Sequence, residues 1–149
     1  MGYTTEFFGE FKLNKKLDDE TYKLLKGLST TRRMKRRVDP RFGVEGEFCI
    51  EPLPMDDKGR EDEATVIDYN VPPADQPGLW CDWAPTEDRK HIAWNGQEKF
   101  YYYVEWMEYL IKKILAPRGY IVSGKVDYQG ENEDDHGSVE IKDNKVKLV

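Results

Sequence analysis

The sequence predicts an α+β fold in which two α-helices pack on an antiparallel or mixed β-sheet. Two segments carry apolar residues at helical spacing, and several others alternate apolar and polar residues with the period of a strand. The chain has 149 residues, of which 38% are hydrophobic, enough for one domain with its own core but not for two domains of ordinary size. We therefore expect a single domain spanning 1–149.

The first predicted strand covers 3–13, where apolar and polar residues alternate and only Phe8 interrupts the pattern. A short helix follows, with Asp18 as its N-cap and Asp19 placing negative charge in its first turn. The apolar stripe of this helix consists of Thr21, Leu24, Leu25 and Leu28. The helix is expected to end just before a cluster of basic residues.

The middle of the chain has weaker patterns. Short strands are expected at 48–50 and 65–67, followed by an ordered loop at 68–78 that is rich in turn-forming residues. Residues 79–83 alternate in polarity and are expected to pair with a strand at 91–94.

The clearest helix covers about 100–115 and ends before Pro117. Its core stripe follows the i, i+3, i+4, i+7 rule, and a second, aromatic face lies opposite. The aromatic face consists of Tyr102, Trp106 and Tyr109. Its cover could be the proline-rich loop with Trp80 or Trp83, a second subunit or a ligand, and the sequence leaves all three open.

The remaining segment predicts a long strand at 122–129 and a final hairpin. A two-residue turn at Asp143-Asn144 sets the hairpin register and brings four apolar residues to one face. The predicted pairs are Ile141 with Val146 and Val139 with Leu148.

Charge is unevenly distributed along the chain. The net charge is −6, yet the segment 32–41 holds six cations and one anion. The overall negative charge argues against general nucleic-acid binding, but the basic segment could attract phosphate groups or an acidic partner. It could equally be a solvated turn, or one neutralised by the acidic runs at 56–63 and 131–135.

The common catalytic motifs are missing from the sequence. It contains no phosphate-binding loop, dinucleotide fingerprint, nucleophile elbow or zinc-protease helix. A Cys81 and His91 pair could form a nucleophilic dyad, although a core position explains Cys81 more simply. The cluster at 131–136 has oxygen ligands suited to Ca²⁺ or Mg²⁺, but it lacks the spacing of a calcium loop. We expect no cofactor and no metal, and the sequence leaves enzymatic activity undecided while favouring its absence.

The chain is expected to be cytoplasmic and not to engage a membrane. It has no apolar run of transmembrane length, and its N-terminus lacks the basic and apolar regions of a secretion signal. The two cysteines, Cys49 and Cys81, are too few for a disulfide framework and suit a reducing compartment.

Six short strings together support a resemblance over nearly the whole chain. They are GYTT at 2–5, TRRMKR at 31–36, DYNVPP at 68–73, QPGLWCDW at 76–83, EKFY at 98–101 and QGE at 129–131. In these strings the chain resembles a family of small uncharacterised proteins encoded by bacteriophages and bacteria. The resemblance implies a phage or mobile-element context, and hence the host cytoplasm, and it transfers no catalytic residue.

The first functional hypothesis is a non-enzymatic phage accessory protein that binds a host macromolecule or an anionic nucleotide ligand and inhibits host defence. Arginine forks match phosphate and carboxylate groups, and aromatic side chains dominate interfaces. The predicted contacts to anionic groups are Arg32, Arg33, Lys35, Arg36 and Arg37, and the predicted apolar anchors are Trp80, Trp83, Tyr102 and Trp106.

Two other hypotheses come from different classes. One is a small enzyme acting on nucleotides or RNA, with Asp82 or Glu98 as acid or base, which requires a carboxylate of shifted pKa in a pocket beside the basic cluster. The other is a homo-oligomer that buries the aromatic helix face against a second copy.

Overall fold

The computed structural model describes residues 2–50 and 66–149, and within them the predicted α+β fold is confirmed. The elements are β1 (Glu6–Phe8), β2 (Glu10–Leu13), α1 (Asp19–Thr30), β3 (Lys35–Arg36), β4 (Val66–Asp68), β5 (Trp83–Pro85), β6 (His91–Trp94), α2 (Tyr103–Leu110), β7 (Val122–Gln129), β8 (His136–Lys142) and β9 (Lys145–Leu148). Seven of these strands form one sheet in the order β5-β6-β2-β7-β8-β9, with β1 also paired to β7. The strands β3 and β4 form a separate pair, and all pairs are antiparallel.

The predicted first strand is divided in two at Gly9. The backbone there has φ +109°, and a Cβ would lie 3.3 Å from the carbonyl oxygen of Lys125, so glycine suits both the conformation and the close approach. On one side of the kink β1 pairs with the far half of β7, and on the other side β2 pairs with the near half and with β6. Phe8, which interrupts the sequence pattern, follows the alternation of β1: it is exposed, whereas Phe7 is buried.

The first helix begins as predicted. The side chain of Asp18 accepts a hydrogen bond of 2.7 Å from the backbone N–H of Thr21, which satisfies one of the free donors of the first turn. Leu25 and Leu28 are buried in the core. The helix ends at Thr30, directly before the basic cluster.

Two strand predictions in the middle of the chain are wrong. Residues 48–50 form no strand, because tight-turn hydrogen bonds such as that from Cys49 N to Gly46 O use their backbone groups. The bounds expected at 79–83 are wrong because the strand starts only at Trp83 and the carbonyl of Leu79 is bound by the N–H of Arg33, but the predicted pairing with 91–94 is confirmed. Of the predicted strand at 65–67, residue 65 lies outside the described residues and the rest belongs to β4.

The second helix is shorter at its start than predicted. Tyr102 has left-handed backbone (φ 60°) and serves as the N-cap, so the α-helix begins at Tyr103. It continues after Leu110 as a π-helical turn over Ile111–Leu115 and a 3₁₀ turn over Ala116–Arg118. The predicted stop before Pro117 therefore falls at the end of the π-helical turn.

The final hairpin has the predicted register. The pairs are Val139 with Leu148, Ile141 with Val146 and Lys142 with Lys145. Both turn residues, Asp143 and Asn144, have positive φ, as a two-residue turn that matches the twist of its strands requires.

The core lies between the sheet and the two helices. Its sheet side contains alternating buried residues such as Phe11, Ile92, Val126 and Ile141. Phe7 and Phe100 contact the ring of Trp83 edge to face, with centroids 5.2 and 5.3 Å away, a favourable geometry for aromatic pairs. Within the ranges described, neither helix has the length and apolarity to cross a bilayer.

Candidate functional site

The basic cluster does not form one surface. Arg33 is 1% exposed, and its guanidinium donates to the Thr31 hydroxyl and to the carbonyls of Gly46, Glu47 and Cys49. Burial lowers its pKa to about 10, and the nearby Arg36 adds to the effect. Arg33 therefore organises the segment 46–49 from inside.

The other four predicted contacts to anionic groups diverge. Arg36 is also buried, Lys35 pairs with Glu45 at 3.1 Å, and Arg37 is exposed. Arg32 turns away from them and donates to the Tyr69 carbonyl at 2.9 Å, with its guanidinium 5.9 Å from the centroid of the Trp80 ring. Arg32 is thus the member of the cluster that reaches a predicted aromatic anchor.

The acidic runs have separate positions. In the run at 131–135, Asp135 accepts from the Tyr3 hydroxyl and Glu131 accepts from the Thr4 N–H. The run at 56–63 lies outside the described residues. Among the residues that the structure describes, no cluster of acidic, histidine or cysteine side chains could hold a metal ion.

The aromatic face of α2 is covered by the chain itself. Trp106 and Tyr109 are buried, and a Cβ on Gly78 of the proline-rich loop would lie 3.6 Å from Nε1 of Trp106 and 3.2 Å from the ring of Tyr102. Trp83 is buried on the other side of the helix and donates from Nε1 to the Tyr103 carbonyl at 2.8 Å. Of the four predicted anchors, only Trp80 and Tyr102 have exposed rings.

Trp80 forms one wall of a cleft of about 670 Å³. The cleft opens between the C-terminal half of α1, the residues leading into β5, and the segment that joins β6 to α2. Its lining residues are Lys26, Ser29, Thr30, Trp80, Asp82, Ala84, Asn95, Gln97, Glu98, Lys99 and Tyr101. Each of these three parts of the chain therefore forms one wall of the cleft.

Asn95, in the turn that follows β6, holds these walls together. Its N–H donates to the Asp82 carbonyl at 2.9 Å, and its side-chain amide donates to the Ser29 carbonyl at 3.4 Å. Its side-chain oxygen accepts from the N–H of Gln97 at 3.0 Å. One asparagine thus links α1, the entry to β5 and the segment before α2.

The segment before α2 is held in strained backbone. Lys99 and Tyr102 have φ of 62° and 60°, a region that non-glycine residues rarely adopt and that is found often at functional sites. Between them, Phe100 is buried in the core while Tyr101 is 48% exposed. The buried Phe100 thus anchors a segment that directs Lys99 and two tyrosine rings outward.

Asp82 is the distinctive group in the cleft. It is 3% exposed although it lines the cavity. Burial raises its pKa to about 6, opposed in part by a hydrogen bond from the Asn95 side chain. A carboxylate in this position can accept from N–H or O–H groups of a ligand, or exchange a proton near neutral pH.

Glu98 and the lysines Lys26 and Lys99 also line the cleft. Both carboxylates of the enzyme hypothesis are therefore in this cavity, with lysines rather than the predicted arginines beside them. The sequence interpretation did not single out Lys26, Ser29 or Asn95. The available signal was Asp82, an acidic residue inside the otherwise apolar run 79–84.

Cys81 and His91 do not form a reactive pair in this structure. Cys81 is buried, its thiol lies 3.6 Å from the Trp83 carbonyl, and burial raises its pKa to about 12. The His91 ring instead contacts Asp88 at 3.0 Å. A thiol with a raised pKa is a poor nucleophile.

The chain matches no protein-family model, and no curated protein and no solved structure is significantly similar to it. The resemblance to phage and bacterial proteins therefore remains an expectation. The chemistry of the cleft is the basis on which a function can be argued.

Proposed function

We propose that this chain is a non-enzymatic binding protein for a small ligand that combines a planar ring with an anionic group, as a nucleotide does. The observation that carries this proposal is the cleft of about 670 Å³, which combines aromatic walls, two lysines and two carboxylates, of which Asp82 is buried. Its volume is within the usual range of small-molecule sites.

The aromatic walls support binding of a nucleobase. Trp80 and Tyr101 are 47% and 48% exposed, and both line the cleft. Aromatic rings that are held in place but open to solvent are favourable surfaces for base stacking, which contributes about 1–3 kcal/mol per base. We expect the base to contact one or both rings.

The polar groups divide between the two ends of such a ligand. Lys26 and Lys99 provide charge for a phosphate, and Asp82 provides an acceptor for the N–H groups of a base or the hydroxyls of a sugar. The chain's net charge of −6 disfavours a long polyanion, because its field repels one. A small, singly or doubly charged ligand is therefore favoured over a long nucleic acid.

The expected biological setting belongs to the same proposal. A phage-encoded accessory protein in the host cytoplasm could inhibit host defence by sequestering a nucleotide. This step depends on the resemblance to phage and bacterial proteins, whereas the binding site is argued from the cleft alone.

Calorimetric titration of the purified chain with AMP, GMP, CMP and UMP tests the proposal. We expect at least one of them to bind, and Trp80→Ala and Lys99→Gln to weaken binding at least about tenfold through loss of stacking and of charge. Matched controls are Phe8→Ala and Lys12→Gln, which alter exposed residues that do not line the cleft. Equal losses in the controls, or no binding of any nucleotide, would contradict the proposal.

The second candidate is a small enzyme acting on nucleotides or RNA. It is supported by the position of Asp82 in the cleft with a pKa of about 6, close to the value that suits a general base at neutral pH. In that case Asp82→Asn would abolish turnover, and the rate of the unsubstituted protein would rise with pH through about 6. Glu98→Gln tests the other carboxylate in the same assay.

A further inference from the structure

A second cleft, of about 360 Å³, adjoins the first. Trp80, Lys99 and Tyr101 line both clefts. These three residues therefore form a shared wall with a cavity on each side.

The second cleft has a stiff, largely apolar lining. Besides the shared wall, it is bounded by Pro72, Pro77 and Tyr102. The proline rings restrict their backbone, and the Tyr102 ring is 57% exposed while its backbone is held at φ 60°. A second planar group could therefore stack here with little loss of conformational freedom in the protein.

The charges along the two clefts fit an anionic link between two planar groups. Lys26 lines the first cleft and Lys99 lies on the shared wall. Arg32 contacts two residues that line the second cleft: its guanidinium lies 5.9 Å from the centroid of the Trp80 ring and donates to Oδ1 of Asn70 at 3.3 Å. Among the described residues that line this second cleft there is no carboxylate.

We propose that the two clefts together bind two nucleobases joined by a phosphodiester, with the linking phosphate at Lys99. This inference rests on the proposed function, because the first base occupies the cleft that contains Asp82. The second base stacks on Tyr102 and the shared wall, and Arg32 adds charge on that side. The chemistry is shared by a free dinucleotide and by a dinucleotide step within single-stranded RNA.

Titration of the full chain with AMP, with the linear dinucleotide pApA and with a ten-residue oligoadenylate tests this inference. We expect pApA to bind at least about tenfold more tightly than AMP, because it gains a second stacked base. Tyr102→Asn should reduce pApA affinity to about the AMP level and leave AMP affinity unchanged. Asparagine tolerates the left-handed backbone at this position, and circular dichroism of the variant checks its folding.

The outcomes separate the inference from the proposed function. Equal affinities for AMP and pApA would overturn the second base site while leaving nucleotide binding in place, and so would an equal loss of both in Tyr102→Asn. Absence of binding by all three adenine ligands would overturn the inference, and the proposed function would fall with it only if GMP, CMP and UMP also failed to bind. With the second site established, similar affinities for pApA and the oligoadenylate assign a free dinucleotide, and much tighter binding of the oligoadenylate assigns single-stranded RNA.

Discussion

The hydroxyl of Tyr109 donates a hydrogen bond of 2.8 Å to Oε1 of Glu47, and both side chains are buried. The second carboxylate oxygen of Glu47 accepts from the Val44 N–H at 3.0 Å. Burial raises the pKa of Tyr109, and the negative charge of Glu47 raises it further. This pair attaches the segment 44–49 to α2 and completes the cover over the aromatic face of the helix.

Tyr109→Phe should therefore lower the free energy of unfolding by about 1–3 kcal/mol, because a buried carboxylate loses a hydrogen bond. Urea denaturation of the variant measures the change. Tyr102→Phe is the matched control, since its ring is exposed, and a change within about 0.5 kcal/mol is expected there. Equal effects of the two substitutions would show that the Tyr109–Glu47 bond contributes nothing specific.

Arg33→Lys should be strongly destabilising although it keeps the charge. The Arg33 guanidinium makes four hydrogen bonds from a fixed plane, and one ammonium group cannot reproduce that geometry. We expect a loss of about 2–4 kcal/mol, measured by urea denaturation. Arg37→Lys, at an exposed position, should change stability by less than about 0.5 kcal/mol. A small loss of stability in Arg33→Lys would show that the four hydrogen bonds of the Arg33 guanidinium contribute little to the free energy of unfolding.

Local patterns predicted those parts of the fold that local physics controls. The cap at Asp18 and the hairpin register at Asp143-Asn144 depend on residues close in sequence, and both are confirmed. The strand expected at 48–50 is absent because turns use the N–H groups of Phe48 and Cys49, and because the buried Arg33 binds the carbonyl of Cys49. A run of cations in a sequence does not reveal which of them fold inward.

The site was only partly predictable for the same reason. Of the predicted binding residues, Trp80 and Tyr102 line the clefts and Arg32 contacts the Trp80 ring. No pattern in the sequence places Lys26 on α1 next to Asp82 and Asn95, because their proximity depends on how the helix packs against the sheet. The burial of Trp106 was likewise not predictable, because nothing in the sequence indicates which segment covers its face of α2.

Asn144→Ala should destabilise the final hairpin and its junction with β7. The Asn144 side chain accepts from Val122 N at 2.6 Å and donates to Tyr120 O at 3.1 Å, and its backbone has φ 67°. We expect a loss of about 2–3 kcal/mol from the hydrogen bonds and the left-handed strain. Asn144→Gly removes the same bonds without that strain, so thermal or urea denaturation should find it about 1 kcal/mol more stable than the alanine variant. A glycine variant no better than alanine would contradict this account of the turn.

The contribution of Asp82 to the stability of the protein should fall as pH rises from about 4 to 6. Burial raises the pKa of this carboxyl from 3.8 to about 6, so within this window the folded state retains a proton that the unfolded state releases. The contribution of Asp82 to stability is fully present below pH 3.8 and is lost above about pH 6. The shift corresponds to about 3 kcal/mol.

Asp82→Asn isolates this effect because its side chain does not titrate. Relative to the unsubstituted protein, the variant should gain up to about 3 kcal/mol of stability between pH 4 and pH 7, measured by urea denaturation across that range. Asp134→Asn, at an exposed carboxylate, is the control and should differ from the unsubstituted protein by no more than about 0.5 kcal/mol. If the free energies of unfolding of Asp82→Asn and the unsubstituted protein differ by the same amount at every pH, Asp82 is as well solvated in the folded cleft as in the unfolded chain. A buried acceptor for a ligand would then be lost from the proposed site.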